Sequence, residues 1–195
     1  MLAYSVPDGH EWLRVADPEW DNPIDTSYSI ATGGRWNPPG TWAALYLSHD
    51  LETARRQITR LLDGTPFEPD DLADDAYDLV TVTLPDEQHA LDVVSVAGIA
   101  AVDLPPSYPI TSTGERVTHH DCWPAANAAH AAGLDGVWCR SAATLDGVGR
   151  ELAWWPEDRI ATWDQTRTPY GQCVPLTPIT DALHPRVPVA TEPAF

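Results

Sequence analysis

GGRWNPPG at residues 33–40, followed by ALYLS at residues 44–48, is the stretch of this chain that most constrains its fold. The paired glycines allow a sharp turn and a close approach of the backbone to a neighbour. The two prolines fix φ on the far side of the turn. Arg35 and Asn37 therefore stand on a rigid loop as a permanent cation and a bidentate hydrogen-bonding group. The strand that follows anchors this loop to a sheet.

The segments before and after this loop predict two strands. Residues 11–16 have the pattern of a short strand, and residues 43–48 have the pattern of a second one. Residues 17–32 are rich in Asp, Pro, Ser and Thr, and they predict a long loop that crosses the site. Two polar loops are thus adjacent in the chain, between two strands.

A helix is predicted directly after the second strand. Ser48 or Asp50 supplies a side-chain oxygen that can cap its first turn. Apolar residues between positions 51 and 62 recur at helical spacing and form one face, and Asp63-Gly64 ends the helix. Gln57 lies about 90° from the centre of that face. It therefore stands at the border between core and pocket.

The rest of the chain predicts a mixed α+β fold. The predicted elements are a loop at 65–76, a strand at 77–84, a short helix at 91–102, a helix from Pro124 in its first turn to about Ala132, and strands at 136–141, 150–155 and 159–163. Together they favour a single compact domain with a mainly antiparallel sheet over residues 1–165. Residues 166–195 are proline-rich and without period, and they predict a tail that wraps the surface.

Composition and charge exclude several classes of function. The 29 acidic and 11 basic residues give a net charge of −18, which disfavours nucleic-acid binding. All the basic residues are arginines, and a local cluster of them can still bind a small anion inside a pocket. No stretch approaches about 18 uninterrupted apolar residues, and the first residues do not resemble a signal peptide. We expect a cytoplasmic protein without membrane contacts, and homo-oligomerisation is left open.

Neither the cysteines nor the histidines strongly indicate a metal. Cys122, Cys139 and Cys173 are widely spaced and predict reduced structural thiols. The cluster HHDC at residues 119–122 has metal-ligating residue types, but adjacent residues seldom ligate one ion well. A polar loop is the favoured interpretation, and neither a metal nor a cofactor is expected.

The glycine loop and its surroundings resemble the RES-domain family, the toxin components of bacterial toxin–antitoxin pairs. The resemblance covers roughly residues 12–160: Arg14 matches the family's first arginine, Arg35 its loop arginine, Tyr46 its strand tyrosine and Ser141 its serine. It implies a fold similar to that of ADP-ribosyltransferase toxins. It also implies degradation of NAD as a substrate and an Xre-type antitoxin as a partner.

One position departs from the family pattern. The family's glutamate lies on the helix after the tyrosine strand, and that position here is Gln57. Glutamine keeps the shape and one acceptor but cannot carry negative charge. Glu52 lies on the same helix but points some 140° away. Glu151, close to Ser141 in sequence, is the better candidate for the missing carboxylate, with a surface charge at a strand edge as the alternative.

The resemblance and the chemistry of NAD cleavage together assign the candidate roles. Arginines grip a pyrophosphate, and a carboxylate stabilises the positive charge that develops as the nicotinamide–ribose bond breaks. The candidate catalytic residues are Arg35, Tyr46, Gln57 and Glu151, and the candidate NAD-binding residues are Arg14, Arg35, Asn37 and Ser141. For Asn37 the alternative is a bond to its own turn, and for Arg35 it is a structural ion pair.

Three functions remain open at this point. The first is an enzyme that degrades NAD by hydrolysis or phosphorolysis and is silenced by an antitoxin. The second is a catalytically impaired nucleotide-binding or interaction protein, which Gln57 favours. The third is a transferase that moves ADP-ribose onto a macromolecule.

Overall fold

The computed structural model describes residues 1–157, 161–164 and 167–173. Within them, nine strands form one sheet: β1 (Ala3–Ser5), β2 (Glu11–Ala16), β3 (Leu45–Ser48), β4 (Asp78–Thr83), β5 (His89–Val93), β6 (Gly136–Arg140), β7 (Arg150–Trp154), β8 (Thr162–Trp163) and β9 (Thr168–Pro169). The helices are α1 (Ser27–Thr32), α2 (Leu51–Leu61), α3 (Val96–Ala100), α4 (His119–Ala131) and α5 (Tyr170–Cys173), with a 3₁₀ turn at Pro69–Asp71. None of these helices is long and apolar enough to cross a membrane.

The strand order is β1-β5-β6-β7-β3-β2-β4-β8, with β9 also paired to β4. Every pairing is antiparallel except that of β5 with β6, which the crossover through α3 and α4 makes parallel. The strands β2 and β3 are joined at a single register pair, Leu13 opposite Ser48, whereas β2 and β4 pair over six residues. The sheet therefore opens between β2 and β3.

The sheet bends so that its two halves face each other. Trp12 of β2 and Trp138 of β6 meet edge to face, with ring centroids 5.7 Å apart. Three strand spacings of about 4.8 Å separate these strands along the sheet, so a flat sheet would keep the rings apart. Inward residues of β2 and β4 thus share one core with those of β3, β6 and β7. A second core lies where α3 and α4 pack on β5 and β6.

The predicted α+β fold with a mainly antiparallel sheet is confirmed, and so is the helix that carries Gln57. Asp50 caps that helix, since its side chain accepts a hydrogen bond from the Thr53 amide at 2.7 Å. The helix ends at Leu61, and Gly64 has φ +81° just beyond it. The predicted loop at 17–32 is wrong in part, because α1 occupies its end.

Two other predicted elements are wrong in detail. The helix within 91–102 begins only at Val96, because Leu91 and Val93 are fully buried as strand residues of β5 beside β6. The helix assigned from Pro124 begins five residues earlier, since Thr118 and Asp121 form a reciprocal capping box. Pro124 therefore lies inside α4, and it offers no amide to the helical ladder. The strand β1 was not predicted at all.

The two ends of the predicted C-terminal region are described to different extents. Residues 159 and 160 of the predicted strand at 159–163 lie outside the described residues, and β8 covers Thr162–Trp163. Of the predicted tail at 166–195, residues 167–173 are described, and they add β9 and α5 beside β4. The remainder of the tail lies outside the described residues and stays a prediction.

The bent core gives a direct test of the fold. Trp12→Ala should lower the free energy of unfolding by about 3–5 kcal/mol, because Trp12 is fully buried between the two halves of the sheet. Trp20→Ala is the matched control, since Trp20 is 45% exposed and should cost little. Urea unfolding measures both. Similar losses for the two variants would contradict the bent sheet.

Candidate functional site

The loop at 33–42 is held to the sheet by Asn37 and Tyr46. The Tyr46 hydroxyl donates to the Asn37 side-chain oxygen at 2.8 Å and accepts from the Trp36 amide at 2.9 Å. The Asn37 side-chain nitrogen donates to the carbonyls of Ser29 at 2.7 Å and Trp42 at 3.2 Å. Asn37 is fully buried, and all of these bonds are local. Its side chain thus fixes the shape of the loop.

The two glycines serve different purposes at this turn. Gly33 has φ +70°, a left-handed conformation that glycine adopts without strain. Gly34 is required by close approach, because a Cβ there would collide with the Tyr46 hydroxyl and the Asn37 side-chain oxygen. The glycine pair therefore lets the loop lie directly on the tyrosine.

This packing aims Arg35 at the space between the loop and α4. Its guanidinium donates to the Val117 carbonyl at 2.5 Å and lies 3.8 Å from the Cys122 sulfur. The side chain is 7% exposed, yet no carboxylate within the described residues forms an ion pair with it. Arg35 is thus a buried cation held by a neutral carbonyl.

Arg35 lines a cleft of ≈ 970 Å³ that opens where β2 and β3 part. Five of the seven residues selected from the sequence line it: Arg14, Arg35, Tyr46, Gln57 and Glu151. Asn37 and Ser141 lie behind its wall. Five of the residues selected from the sequence thus lie together around the cleft, whereas Asn37 and Ser141 do not line it.

Arg14 reaches the cleft through the gap between the strands. One terminal nitrogen donates to the Tyr46 carbonyl at 3.4 Å, while its Nε is buried and has no hydrogen-bond partner in the part of the chain that the structure describes. Burial lowers the pKa of Arg14 to about 10, and the Asp25 carboxylate acts in the opposite direction. Trp20 lies 5.8 Å from its guanidinium carbon. Arg14 stays charged at neutral pH, with donor capacity to spare.

Glu151 is the buried carboxylate of the cleft. It lies on β7, where its backbone is opposite Ser48 of β3 and Cys139 of β6, and it is 8% exposed. Burial raises the pKa of Glu151, and the hydrogen bond from the Ser141 hydroxyl counteracts this most strongly among its neighbours. The charges of Arg60 and Arg35 act in the same direction as Ser141. Ser141 therefore supports Glu151 from behind.

Gln57 lies on the wall that α2 contributes, where it is half-buried. It lies beside the cleft that Glu151 also lines. The cleft thus holds one buried carboxylate, contributed by a strand, and an amide contributed by the helix. Three further carboxylates, Glu19, Asp21 and Asp25, line the cleft from the loop after β2, and all three are exposed.

Sequence reasoning missed several residues that line the cleft. Arg60 follows Gln57 by three positions on α2, so the helical period alone could have placed it on the same face. Trp20 and Tyr28 are exposed aromatic residues of the segment predicted to cross the site. His119 lines the cleft as the first residue of α4. Among the described residues, no group of three or more His, Cys, Asp or Glu side chains is arranged to hold a metal.

Comparison with known proteins agrees with this architecture. The family model of the RES domain matches residues 11–170. The MbcT toxin in the crystal structure of the M. tuberculosis MbcT–MbcA toxin–antitoxin complex has a similar structure, with a TM-score of 0.68 and 19% identity. The match covers 87% of this chain and 88% of that one. No curated protein matches this chain in sequence.

The fold and the cleft thus define an α+β protein with a mainly antiparallel sheet, similar in fold to MbcT. The chain belongs to the RES-domain family, whose model spans most of its length. The resemblance inferred from the glycine loop is confirmed, and the match to MbcT supports the same fold.

The burial of Glu151 predicts a pH-dependent gain in stability on its removal. The unfolded carboxyl has a pKa of about 4.3, and burial raises the pKa of the folded one. Stability contributed by the protonated carboxyl is therefore present below about pH 4 and is lost as the pH rises through the folded pKa. In urea unfolding, the free energy of unfolding of Glu151→Gln should be higher than that of the parent, and the difference should grow as the pH rises.

Glu19→Gln is the control for that measurement, because it removes an exposed carboxylate from the same cleft. Its stability difference from the parent should change little between pH 4 and pH 8. If the stability difference between Glu151→Gln and the parent becomes smaller as the pH rises, the burial of this carboxylate is contradicted.

Proposed function

We propose that this chain is a RES-type toxin-like protein that binds NAD and cleaves its nicotinamide–ribose bond, and that a cognate antitoxin neutralises it. One observation carries the proposal: a buried carboxylate lines the same cleft as Arg14 and Arg35, which form no ion pair with a carboxylate in the described part of the chain. The arginines suit a pyrophosphate, and the carboxylate suits a cationic transition state. The cytoplasm, where NAD is available, is the compartment that this function implies.

The reaction breaks the bond between the ribose anomeric carbon and the nicotinamide nitrogen. The electron pair goes to that nitrogen, so the pyridinium becomes neutral nicotinamide and the sugar becomes an oxocarbenium ion. An oxygen of water or phosphate then forms the new bond to carbon, and its proton is lost to solvent when water is the acceptor. Glu151 stabilises the positive charge on the sugar, while Arg14 and Arg35 hold the pyrophosphate.

In this scheme Glu151 takes the role that the family gives to the helix glutamate. Its position supports this role, since it shares the cleft with Gln57 and Arg35. Gln57 keeps the shape of the family's side chain and can donate a hydrogen bond to a ribose hydroxyl. Tyr46 contributes by holding the loop, because its hydroxyl is engaged with Asn37 and Trp36.

A second candidate is a catalytically impaired RES-like nucleotide-binding protein, and Gln57 is the observation that favours it. Transfer of ADP-ribose to a macromolecule is the third, and it shares the first bond-breaking step with hydrolysis. The antitoxin partner is supported by the toxin–antitoxin complex to which this chain is structurally similar. The net charge of −18 suits a partner with a basic surface.

Purified protein mixed with NAD should release nicotinamide, measured by chromatography over time. Glu151→Gln should lower turnover at least about 100-fold, because the charge that stabilises the transition state is lost. Arg35→Ala should abolish NAD binding in calorimetry.

Gln57→Glu should keep the fold and raise turnover, since it supplies a second carboxylate.

The outcomes separate the three candidates. NAD binding without release by the parent, together with release by Gln57→Glu, would select the impaired binder. Radiolabel from NAD appearing on protein would select the transferase. Full turnover by Glu151→Gln would reject the assigned role of that carboxylate. Thermal unfolding of each variant reports whether it is folded.

A further inference from the structure

Arg60 is a cation of the cleft that the proposed reaction does not yet use. It lies in the last turn of α2, half-buried, and it lines the cleft together with Gln57. Within the described residues its guanidinium forms neither an ion pair within 4.0 Å nor a hydrogen bond. Arginine carries five N–H donors in a planar fork, so the donors of Arg60 are available to a ligand.

Other arginines nearby have found carboxylates. On the same helix, Arg55 and Arg56 pair with Glu52 at 3.7 Å and 3.0 Å. Arg116 pairs with Asp63 at 3.3 Å. In a chain with 29 acidic and 11 basic residues, an arginine can readily be given a partner. Arg60 has no carboxylate partner in the described part of the chain, and this distinguishes it from Arg55, Arg56 and Arg116.

Arg60 shares its end of the cleft with Arg35, His119 and Glu151. Arg35 is bonded to the Val117 carbonyl, two residues before His119 at the start of α4. Burial lowers the pKa of Arg60, and the charges of Arg35 and Arg116 lower it further, while Glu151 opposes them. Burial also lowers the pKa of His119, with Arg35 and Arg60 contributing next. The guanidinium groups of Arg35 and Arg60 are thus close enough to repel each other, and an anion between them would relieve that repulsion.

We propose that Arg60 is a positioning residue that forms, with Arg35 and His119, a phosphate-binding subsite between α2 and α4. The subsite lies beside Glu151, so a phosphate held there is next to the reacting sugar. The phosphate belongs either to the pyrophosphate of the dinucleotide or to a free phosphate ion that accompanies it. This inference rests on the proposed function, because it assigns a phosphorylated ligand to the same cleft.

A purely structural role for Arg60 is the alternative. A cation in the last turn of a helix interacts favourably with the helix dipole. In that case Arg60→Gln would lower the midpoint of thermal unfolding and leave the affinity for phosphates unchanged. Arg56→Gln is the matched control, since it removes the same charge from the same helix at a residue paired with Glu52.

The test is calorimetric titration of the parent, Arg60→Gln and Arg56→Gln with NAD, nicotinamide riboside and inorganic phosphate. The Kd for NAD should rise about 10-fold or more in Arg60→Gln, the effect of losing a charge-assisted contact. Arg56→Gln should stay within about twofold of the parent. Nicotinamide riboside lacks the pyrophosphate, so its Kd should be the same in all three proteins.

The phosphate titration identifies the source of the bound group. Loss of inorganic phosphate binding in Arg60→Gln, with NAD affinity retained, would assign the subsite to a free phosphate ion. Unchanged affinities for both NAD and phosphate would overturn the subsite, as would equal losses in Arg60→Gln and Arg56→Gln. No binding of either by the parent would overturn it as well.

The proposed function can fail separately. If the parent releases no nicotinamide but phosphate binding still depends on Arg60, the subsite stands and the cleavage reaction does not. If nicotinamide is released and Arg60→Gln changes neither affinity, the reaction stands without the subsite.

Discussion

The burial of cationic guanidinium groups without carboxylate partners is the constraint on which the rest of this structure depends. Arg35 is almost fully buried, and it is held by the Val117 carbonyl and the Cys122 sulfur. Burying a charge is costly unless it is paired or hydrogen-bonded. The chain has a large excess of acidic residues, yet none of those that the structure describes forms an ion pair with Arg35. Such a site is stabilised when an anionic ligand supplies the missing charge.

The architecture maintains this constraint from several directions. The sheet opens between β2 and β3 after one register pair, which leaves room for Arg14 to enter. The glycine loop lies on Tyr46 and directs Arg35 toward α4. The strand β7 brings Glu151 beneath the same cleft, with Ser141 bonded behind it. Each charged group thus comes from a different element, and only the folded sheet brings them together.

An amide at Gln57, where the resemblance leads one to expect a glutamate, is compatible with this arrangement. The buried carboxylate of Glu151 lines the same cleft, although it comes from the strand β7 and Gln57 comes from the helix α2. Burial raises the pKa of that carboxyl, so its protonation links the site to pH. The cleft therefore holds one buried carboxylate together with the guanidinium groups of Arg14 and Arg35.

Much of the fold could be predicted from local sequence. The helical spacing after residue 50 and the alternation in β4 are strong patterns, and both elements form as expected. The strand β5 could not be recognised, because a short apolar run fits a buried strand or a helix equally well. Pro124 was assigned to the first turn because proline is common there, whereas the capping box of Thr118 and Asp121 starts α4 at His119.

Arg14 and Arg35 were selected from the sequence as candidate site residues, and both line the cleft. The candidate site was less predictable where the role depends on contacts. Asn37 is polar and close to Arg35 in sequence, yet its donors and its acceptor are used in hydrogen bonds that join the loop to Ser29 of α1, to Trp42 and to Tyr46 of β3. The sequence around Arg60 contains no motif that indicates a role. Arg60 is recognised only in the structure, because its guanidinium has no partner among the described residues.

The most direct measurement is the thermal unfolding midpoint in increasing ADP-ribose, with sodium chloride added to keep the ionic strength constant. The midpoint of the parent should rise by several degrees, as expected when a ligand binds the folded state alone. In Arg35→Gln this rise should be largely lost, although the unliganded variant should be no less stable than the parent. If ADP-ribose does not change the thermal unfolding midpoint of the parent, the central claim that the arginines of the cleft bind an anionic ligand is contradicted.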